Sequence, residues 1–397
     1  MSEPPHPASG SDGPQGLARP EGELVWTHAV TQSHAAVAAQ LAGRLRANRP
    51  GMHLLLTTGP EAQPPAALPR FVIPAEFEAD SSTAALTFLE HWKPDIGIWT
   101  GGDLQPAILR LADWQGIPLI LADADTARLP RLGWRWLPDS ARQTLKRFSL
   151  IMARDGATET FLRRRAGLRE ARIIVTGALQ EGSIPLPCDL AEREELAAIL
   201  RRRLIWLAAY LHPSEVETVL AANARVMRFS HRVLIIIVPD DPGNAAPFQT
   251  ALVRAGLRYI TWSEGALPDE TTQAILADTA GEMGLWYRIA PISFMGDSLC
   301  EGGQGSNPLE PAAHGSAILY GPNVGAHMAT YSRLARAGAA RIVRDADTLA
   351  EEVQQVIPPD RSAAMAHAAW EIATRGAEVL ERLVEATNEA LDARAAR

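Results

Sequence analysis

The sequence predicts an α/β protein built from two Rossmann-like domains. Short apolar runs alternate with amphipathic helical stretches from Glu23 onward. The runs are continuous rather than alternating, as strands buried on both faces of a parallel sheet read. A length of 397 residues exceeds one ordinary core, since a domain holds about 150–200 residues.

The elements follow in order. Residues 1–20 are rich in Pro, Gly and Ser, lack a basic start and an apolar run, and are expected to be a disordered tail rather than a signal peptide. ELVWTHAV (23–30) reads as a strand and SHAAVAAQLAGRLRAN (33–48) as a helix. HLLLTTG is a strand that Gly59-Pro60 is expected to stop. FVIPAEF, DIGIWTG, IPLILADAD, LIMAR and RIIVTGA continue the strands. STAALTFLEHW, QPAILRLADWQG, SARQTLKRF and GATETFLRRRAG supply the helices between them. SIPLPCDL has two prolines and no periodicity, so the interdomain linker is placed there.

A second series then begins. AEREELAAILRRR, PSEVETVLAANARVMR, PFQTALVRAG, GEMGLWYRIA, LEPAAHG and MATYSRLARAG read as helices. LIWLAAYL, RVLIIIVPDD, YITWS, QAILADT, ISFMG, AILYGP and ARIVRDA read as strands. TLAEEVQQVI and a helix from Asp360 close the chain. The expected organisation is a tail at 1–20, an N-terminal domain at 21–183, a linker at 184–190, a C-terminal domain at 191–375 and a C-terminal helix at 376–397. Two such domains are expected to face a cleft, with ligands beyond the carboxyl ends of the strands.

Composition narrows the function. A net charge of −8 argues against a general nucleic-acid binder. The two cysteines, Cys188 and Cys300, match no metal or redox spacing, and a reducing compartment is the simplest reading. No cofactor or metal is expected. No apolar run reaches the length of a membrane span, so any membrane contact is expected to be peripheral.

The densest turn chemistry is GDSLCEGGQGSNPLEPAAHGSAILYGPNV (296–324). Gly296, Gly302, Gly303 and Gly305 would let backbone approach a ligand. Asn307 could cap a helix with Pro308 in its first turn, whose free N–H groups attract anions. Glu310 then either complements the helix dipole or takes a sugar hydroxyl pair. Upstream, Thr279 and Glu282 have the spacing of a capping box.

The order of these motifs resembles the 3-deoxy-D-manno-octulosonic acid (Kdo) transferases of lipopolysaccharide biosynthesis, which have the GT-B fold. The family's Gly-Asp-Thr-x-Gly-Glu is similar to Ala277-Asp278-Thr279-Ala280-Gly281-Glu282. Its Gly-rich loop ends in Asn-Pro-Leu-Glu, as Asn307-Pro308-Leu309-Glu310 does, with Pro311-Ala312-Ala313 and Gly321-Pro322 following. Its Thr-His-x-Gly-Glu-Glu is similar to His212-Pro213-Ser214-Glu215. The likeness covers roughly residues 23 to 380. It implies a CMP-Kdo donor site in the C-terminal domain, built from Ala280, Gly281, Glu282, Asn307, Pro308, Leu309 and Glu310. Ser298, His212 and Glu215 would join it. It also implies a lipid A precursor as acceptor, held by the N-terminal domain, and a cytoplasmic cell-envelope enzyme in peripheral contact with the inner face of the inner membrane.

The chain departs from the family at several points. A membrane-anchoring start is not expected here. The family's His-Ala-Val-Ser-x-Gly-Glu ends in the general base, and His28-Ala29-Val30-Thr31-Gln32-Ser33-His34 places His34 there. A second family acid leaves only Asp103, in Gly101-Gly102-Asp103-Leu104-Gln105-Pro106. A family lysine becomes Gln180, Arg-His-Pro becomes Asp240-Asp241-Pro242, and Ser306 precedes Asn307 in a loop one residue longer.

Histidine side chains ordinarily titrate near neutral pH, which suits a base. His34 is therefore a catalytic candidate, or else a polar residue opening a helix. Asp103 is a second catalytic candidate, or else a helix N-cap. His28, inside an apolar strand, reads as a core histidine. Trp92, Trp99, Trp134 and Trp136 read as core, with an apolar acceptor face as the alternative. The arginine runs 163–165 and 201–203 read as solvated helix faces, with acidic lipid headgroups as the alternative. Two functions stay open: a diverged glycosyltransferase using a CMP-activated acidic sugar, and a catalytically impaired GT-B protein that binds a nucleotide sugar or a partner enzyme. A nucleotide-sugar epimerase is a more distant third.

Overall fold

The computed structural model describes residues 17–65, 68–76, 81–129, 139–164, 167–169, 171–201 and 203–396, with backbone only at 139–141. Most of the expected tail, Trp134, Trp136, Arg165 and Arg202 lie outside the described residues. The chain divides into two units. The first is the chain up to Glu181 together with Glu378–Arg397, and the second is Gly182–Ala377.

The first unit holds β1 (Leu24–Thr31), β2 (His53–Glu61), β3 (Val72–Pro74), β4 (Ile96–Thr100), β5 (Leu119–Ala124), β6 (Leu150–Ala153) and β7 (Ile173–Val175). Between them run α1 (Gln32–Asn48), α2 (Ser82–Trp92), α3 (Pro106–Trp114), α4 (Asp139–Leu145) and α5 (Gly156–Arg164). The strands pair in parallel in the order β3-β2-β1-β4-β5-β6-β7. The order reverses beside β1, which lies between β2 and β4, and that is the topological switch point. β1, β4 and β5 bury nearly every residue, which is why their runs are apolar without alternation. β2 does not stop at Gly59-Pro60 but continues to Glu61. β3 pairs only with Leu54–Leu56, so Pro60 lies beyond the point where a ladder N–H is needed on that side.

Trp26, Phe88, Trp92 and Trp99 pack together on one side of this sheet. Trp92 and Trp99 are therefore core, and the acceptor-face alternative does not hold for them. Val25, Leu41, Leu45 and Ile98 form the other core with Leu380, Leu383 and Val384 from the C-terminal segment.

The second unit holds α6 (Leu190–Ile199), β8 (Ile205–Leu211), α7 (Val216–Phe229), β9 (Leu234–Pro239), α8 (Ala246–Arg254), β10 (Tyr259–Thr261), β11 (Ala274–Leu276) and α9 (Met283–Ile289). β12 (Ile292–Met295), α10 (Leu309–Ala313), β13 (Ala317–Tyr320), α11 (Met328–Arg336), β14 (Ala340–Ile342), α12 (Ala346–Val356) and α13 (Pro359–Ala395) complete it. Its parallel order is β10-β11-β9-β8-β12-β13-β14, with the switch point between β8 and β12. The first part of α13 contributes Ala369 and Ala373 to this unit's core, and its residues from Glu378 belong to the first unit. These are the two Rossmann-like domains expected, the α/β content of a GT-B fold. Among the described residues no helix is long and apolar enough to cross a membrane.

The arginine runs are less solvated than expected. Arg163 bonds Glu159 and the carbonyls of Ala171 and Ile173. Arg203 donates to the carbonyls of Arg232 and Thr272. Arg163 ties down the segment that leads into β7, and Arg203 ties those that lead into β9 and β11, while Arg164 and Arg201 are exposed.

Candidate functional site

In the second unit the site begins with a β-bulge. The β8–β9 register shifts between Ala208 and Leu211, and Tyr210 inside the bulge has φ of 53°. That angle is unfavourable for a bulky residue. A bulge re-aims side chains, and the Tyr210 hydroxyl donates to Glu310 Oε2 at 2.8 Å. Tyr287 of α9 lies 3.5 Å from the same oxygen. Burial raises the Glu310 carboxyl above its ordinary range, and the two tyrosine hydrogen bonds offset this only in part. Burial and the Glu310 carboxylate push both phenols up as well.

His314 holds the other side of α10. Its Nε2 accepts from the Leu186 N–H at 3.0 Å, so Nδ1 carries the hydrogen and donates to the Glu310 carbonyl at 2.7 Å. Burial keeps this imidazole neutral by lowering its pKa.

Glu215 anchors the Gly-rich loop from beneath. It is 1% exposed, and its carboxylate accepts from the backbone N–H groups of His212 (3.1 Å), Asp297 (2.8 Å), Ser298 (2.9 Å) and Leu299 (2.6 Å). Asp297 in turn accepts from Gln304 N–H at 3.0 Å. Gly303 is there because a Cβ would come within 2.4 Å of the Asp297 carbonyl oxygen. Its lack of a side chain serves the loop's own packing, where a ligand approach was expected.

Two capping expectations change. α10 starts at Leu309 with Pro308 as its N-cap residue. Asn307 still caps by accepting from Leu309 N–H at 3.0 Å. Thr279 does not cap α9, which begins at Met283. Its hydroxyl bonds the Glu282 side chain directly, because the backbone between them turns at Gly281, with φ of 85°.

A pocket of about 270 Å³ opens at the carboxyl edge of this sheet. Tyr210, Asp240, Thr279, Ala280, Gly281 and Glu310 supply its polar or backbone-lined side. Leu186, Pro187, Val238, Pro239, Pro242 and Met283 supply the apolar side. Of the sequence-predicted donor residues, Ala280, Gly281 and Glu310 line it. Glu215, Ser298, Pro308 and Leu309 are buried beneath. Ser298 Oγ accepts from Gly321 N–H at 2.8 Å. His212 pairs with Ser214 at 2.7 Å, and neither His212 nor Glu282 lines the pocket. Tyr210 escaped the sequence reading because only the bulge turns it toward Glu310.

In the first unit a second bulge lies at the matching edge. The β5–β6 register shifts between Leu121 and Ala124, and Asp123 has φ of 54°. Its carboxylate meets His34 Nε2 at 2.8 Å and Arg154 through Nε at 2.9 Å and Nη2 at 2.7 Å. Burial raises the Asp123 carboxyl, but the His34 and Arg154 hydrogen bonds outweigh it and hold it below the ordinary range. Arg154 also bonds Asp125 at 2.6 Å.

His34 is 3% exposed, and both ring nitrogens are engaged. An ionised Asp123 only accepts, so Nε2 carries a hydrogen. Nδ1 lies 2.9 Å from Thr100 Oγ1. Thr100 has one hydroxyl proton and two acceptors in reach, Nδ1 and the His28 carbonyl at 3.0 Å. The position expected to hold a free base therefore holds a buried link in a network. A Cβ on Gly101, whose φ is 72°, would come within 3.1 Å of His34 Cε1, so the Gly101-Gly102 turn closes over the ring.

Asp103 is exposed beyond that turn, 3.4 Å from Arg128 Nη1, which also holds Glu61 at 3.0 Å. It is not a helix cap, since Gln105 occupies the N-cap of α3. His28 is a core histidine, bonded to Thr57 at 2.9 Å and stacked on Trp99. Asp123 escaped the sequence reading, and the signal was an acid inside the apolar run LILADAD.

Comparison with known proteins adds a second line of argument. Residues 9–181 match the family model described as 3-Deoxy-D-manno-octulosonic-acid transferase (kdotransferase). The 3-deoxy-D-manno-octulosonic acid transferase of Bordetella pertussis is 30% identical over 394 residues, covering 93% of this chain and 87% of that one. The enzyme of the same name from Rickettsia bellii is 24% identical, covering 85% and 80%. Among solved structures, the C-terminal CMP-Kdo binding domain of WaaA from Acinetobacter baumannii covers 46% of this chain and 98% of that one. Its identity is 24% and its TM-score 0.44. With identity of 30% sustained across nearly all of both chains, this chain belongs to the 3-deoxy-D-manno-octulosonic acid transferase family.

Proposed function

We propose that the chain is a glycosyltransferase that moves Kdo, or a related acidic sugar, from CMP-Kdo to a lipid A precursor in lipopolysaccharide biosynthesis. The observation that carries this reading is the pocket of the second unit, which gathers Glu310, Ala280 and Gly281 at a switch-point edge. The Tyr210 and Tyr287 hydroxyls meet Glu310 at Oε2. Oε1 is then the oxygen proposed to take a ligand hydroxyl. His212, Glu215, Ser298, Asn307, Pro308 and Leu309 position the loop, and Glu282 steadies the Thr279 turn.

In the transfer an acceptor hydroxyl attacks the anomeric carbon of the sugar, its proton goes to a base, and CMP leaves. We place the base at Asp103, which is exposed, and give His34 a positioning role through Asp123 and Thr100. A positioned base contributes about 10²–10⁴-fold, so Asp103→Asn should lower kcat by that order with CMP binding intact. Because the acceptor is a lipid precursor, the protein is placed in the cytoplasm, in peripheral contact with the inner face of the inner membrane.

Calorimetric titration with CMP and CMP-Kdo, followed by a transfer assay on lipid A precursor, tests the reading. Binding with transfer supports it. Binding without transfer supports the second reading, a nucleotide-sugar-binding protein, which the engaged nitrogens of His34 favour. No binding of either ligand overturns both.

A further inference from the structure

The pocket of the second unit has a charge pattern poorly suited to a phosphate. Among the described residues its lining contains two carboxylates, Asp240 and Glu310, and no Lys, Arg or His. Among the described residues, no cation acts on Glu310. Asp240 is exposed at the end of β9. Its Oδ1 accepts from the Asp241 N–H at 2.8 Å, and its Oδ2 takes no hydrogen bond from a described residue. An anion entering here would face two like charges without a counter-charge. A group that donates hydrogen bonds would find free acceptors.

Size points the same way. Pockets for drug-sized ligands run about 300–1,000 Å³. At about 270 Å³ this one takes part of a nucleotide sugar. Its apolar side, from Leu186, Val238, Pro239 and Met283, suits a flat ring. A carboxylate at the ring's edge accepts from the exocyclic amine of cytosine and repels the carbonyl that uracil carries at that place.

We propose that Asp240 is a specificity-determining residue: the pocket seats cytosine and its ribose, with the base amine on the Asp240 carboxylate, and leaves the phosphate outside. The proposal rests on the nucleotide-sugar reading above and adds which part of the ligand enters and what selects it.

The test is calorimetric titration of the whole chain with cytidine, uridine and CMP. Cytidine should bind within about threefold of CMP, and about tenfold or more tighter than uridine. Asp240→Ala should erase the preference for cytidine over uridine without lowering the melting temperature, because the residue is exposed. Asp240→Arg should tighten CMP relative to cytidine. Equal binding of cytidine and uridine by the native chain overturns the proposal. So does CMP binding more than about tenfold tighter than cytidine with the base preference untouched by Asp240→Ala. In both cases CMP still binds, and the transferase reading stands. If CMP and CMP-Kdo both fail to bind, the transferase reading falls and this proposal falls with it.

Discussion

His28 and Asp123 are both buried, and both make the fold acid-sensitive, in different pH windows. Burial lowers the His28 pKa to about 3, against about 6.5 for an unfolded histidine. Between those values the unfolded chain binds a proton that the folded chain refuses. The contribution is therefore full above about 6.5 and is lost as pH falls toward 3, at about 1.4 kcal/mol per pH unit. Urea unfolding of His28→Phe, which keeps a ring on Trp99, should give a flatter stability profile across that window, and a parallel profile refutes the argument. Asp123 is held below the ordinary carboxylate range, so its contribution is present above about 3.9 and fades as pH falls through the folded value. Asp123→Asn should cost about 3–5 kcal/mol near pH 7, toward the lower end because Arg154 keeps access to water. The difference from the native chain should shrink in acid. Glu310→Ala behaves otherwise. It should weaken nucleotide binding by about 1–3 kcal/mol and leave the melting temperature near its native value. Unchanged binding with a lower melting temperature would make the carboxylate a purely structural group.

At the next scale, each sheet delivers its key side chain from a bulged strand. Tyr210 in β8 and Asp123 in β5 both have positive φ, and both stand at a register shift. A regular strand would send these side chains to the opposite face. The Gly-rich loop after β12 depends on Glu215 in the same way. Four backbone N–H groups converge on its carboxylate, and each buried donor left alone costs about 1–3 kcal/mol. Glu215→Ala should therefore lower the melting temperature and abolish nucleotide binding together, in contrast to Glu310→Ala. A Glu215→Ala protein that melts like the native chain would show that the loop is held by something else.

Across the whole molecule, the C-terminal end of α13 completes the first unit. Leu380, Leu383, Val384 and Leu391 enter its core. A buried Leu or Val contributes about 1.5–3 kcal/mol, so their loss approaches a domain's total stability of about 5–15 kcal/mol. Deleting residues 378–397 should remove hydrogen-exchange protection from β1, β2 and β4 while β8, β9 and β12 stay protected. Equal protection in both units would count against that dependence. The strands and helices themselves were legible in the residue pattern, since buried parallel strands are continuous apolar runs and Gly, Pro and Asn punctuate them. The loop ending in Asn307-Pro308-Leu309-Glu310 was legible for the same reason: its turn chemistry is local. Other features were not. That His34 would be buried against Asp123 could not be read, because His34 opens α1 just after β1 while Asp123 lies in β5, and the two meet only when β1 and β5 take places on either side of β4. That Glu215 would serve a loop rather than a ligand depended on β8 and β12 becoming neighbours. Local sequence sets backbone preference and which faces are apolar. Which polar side chains meet, and which of them stay open to a ligand, is set by strand order and by bulges, and both arise only once the sheets assemble.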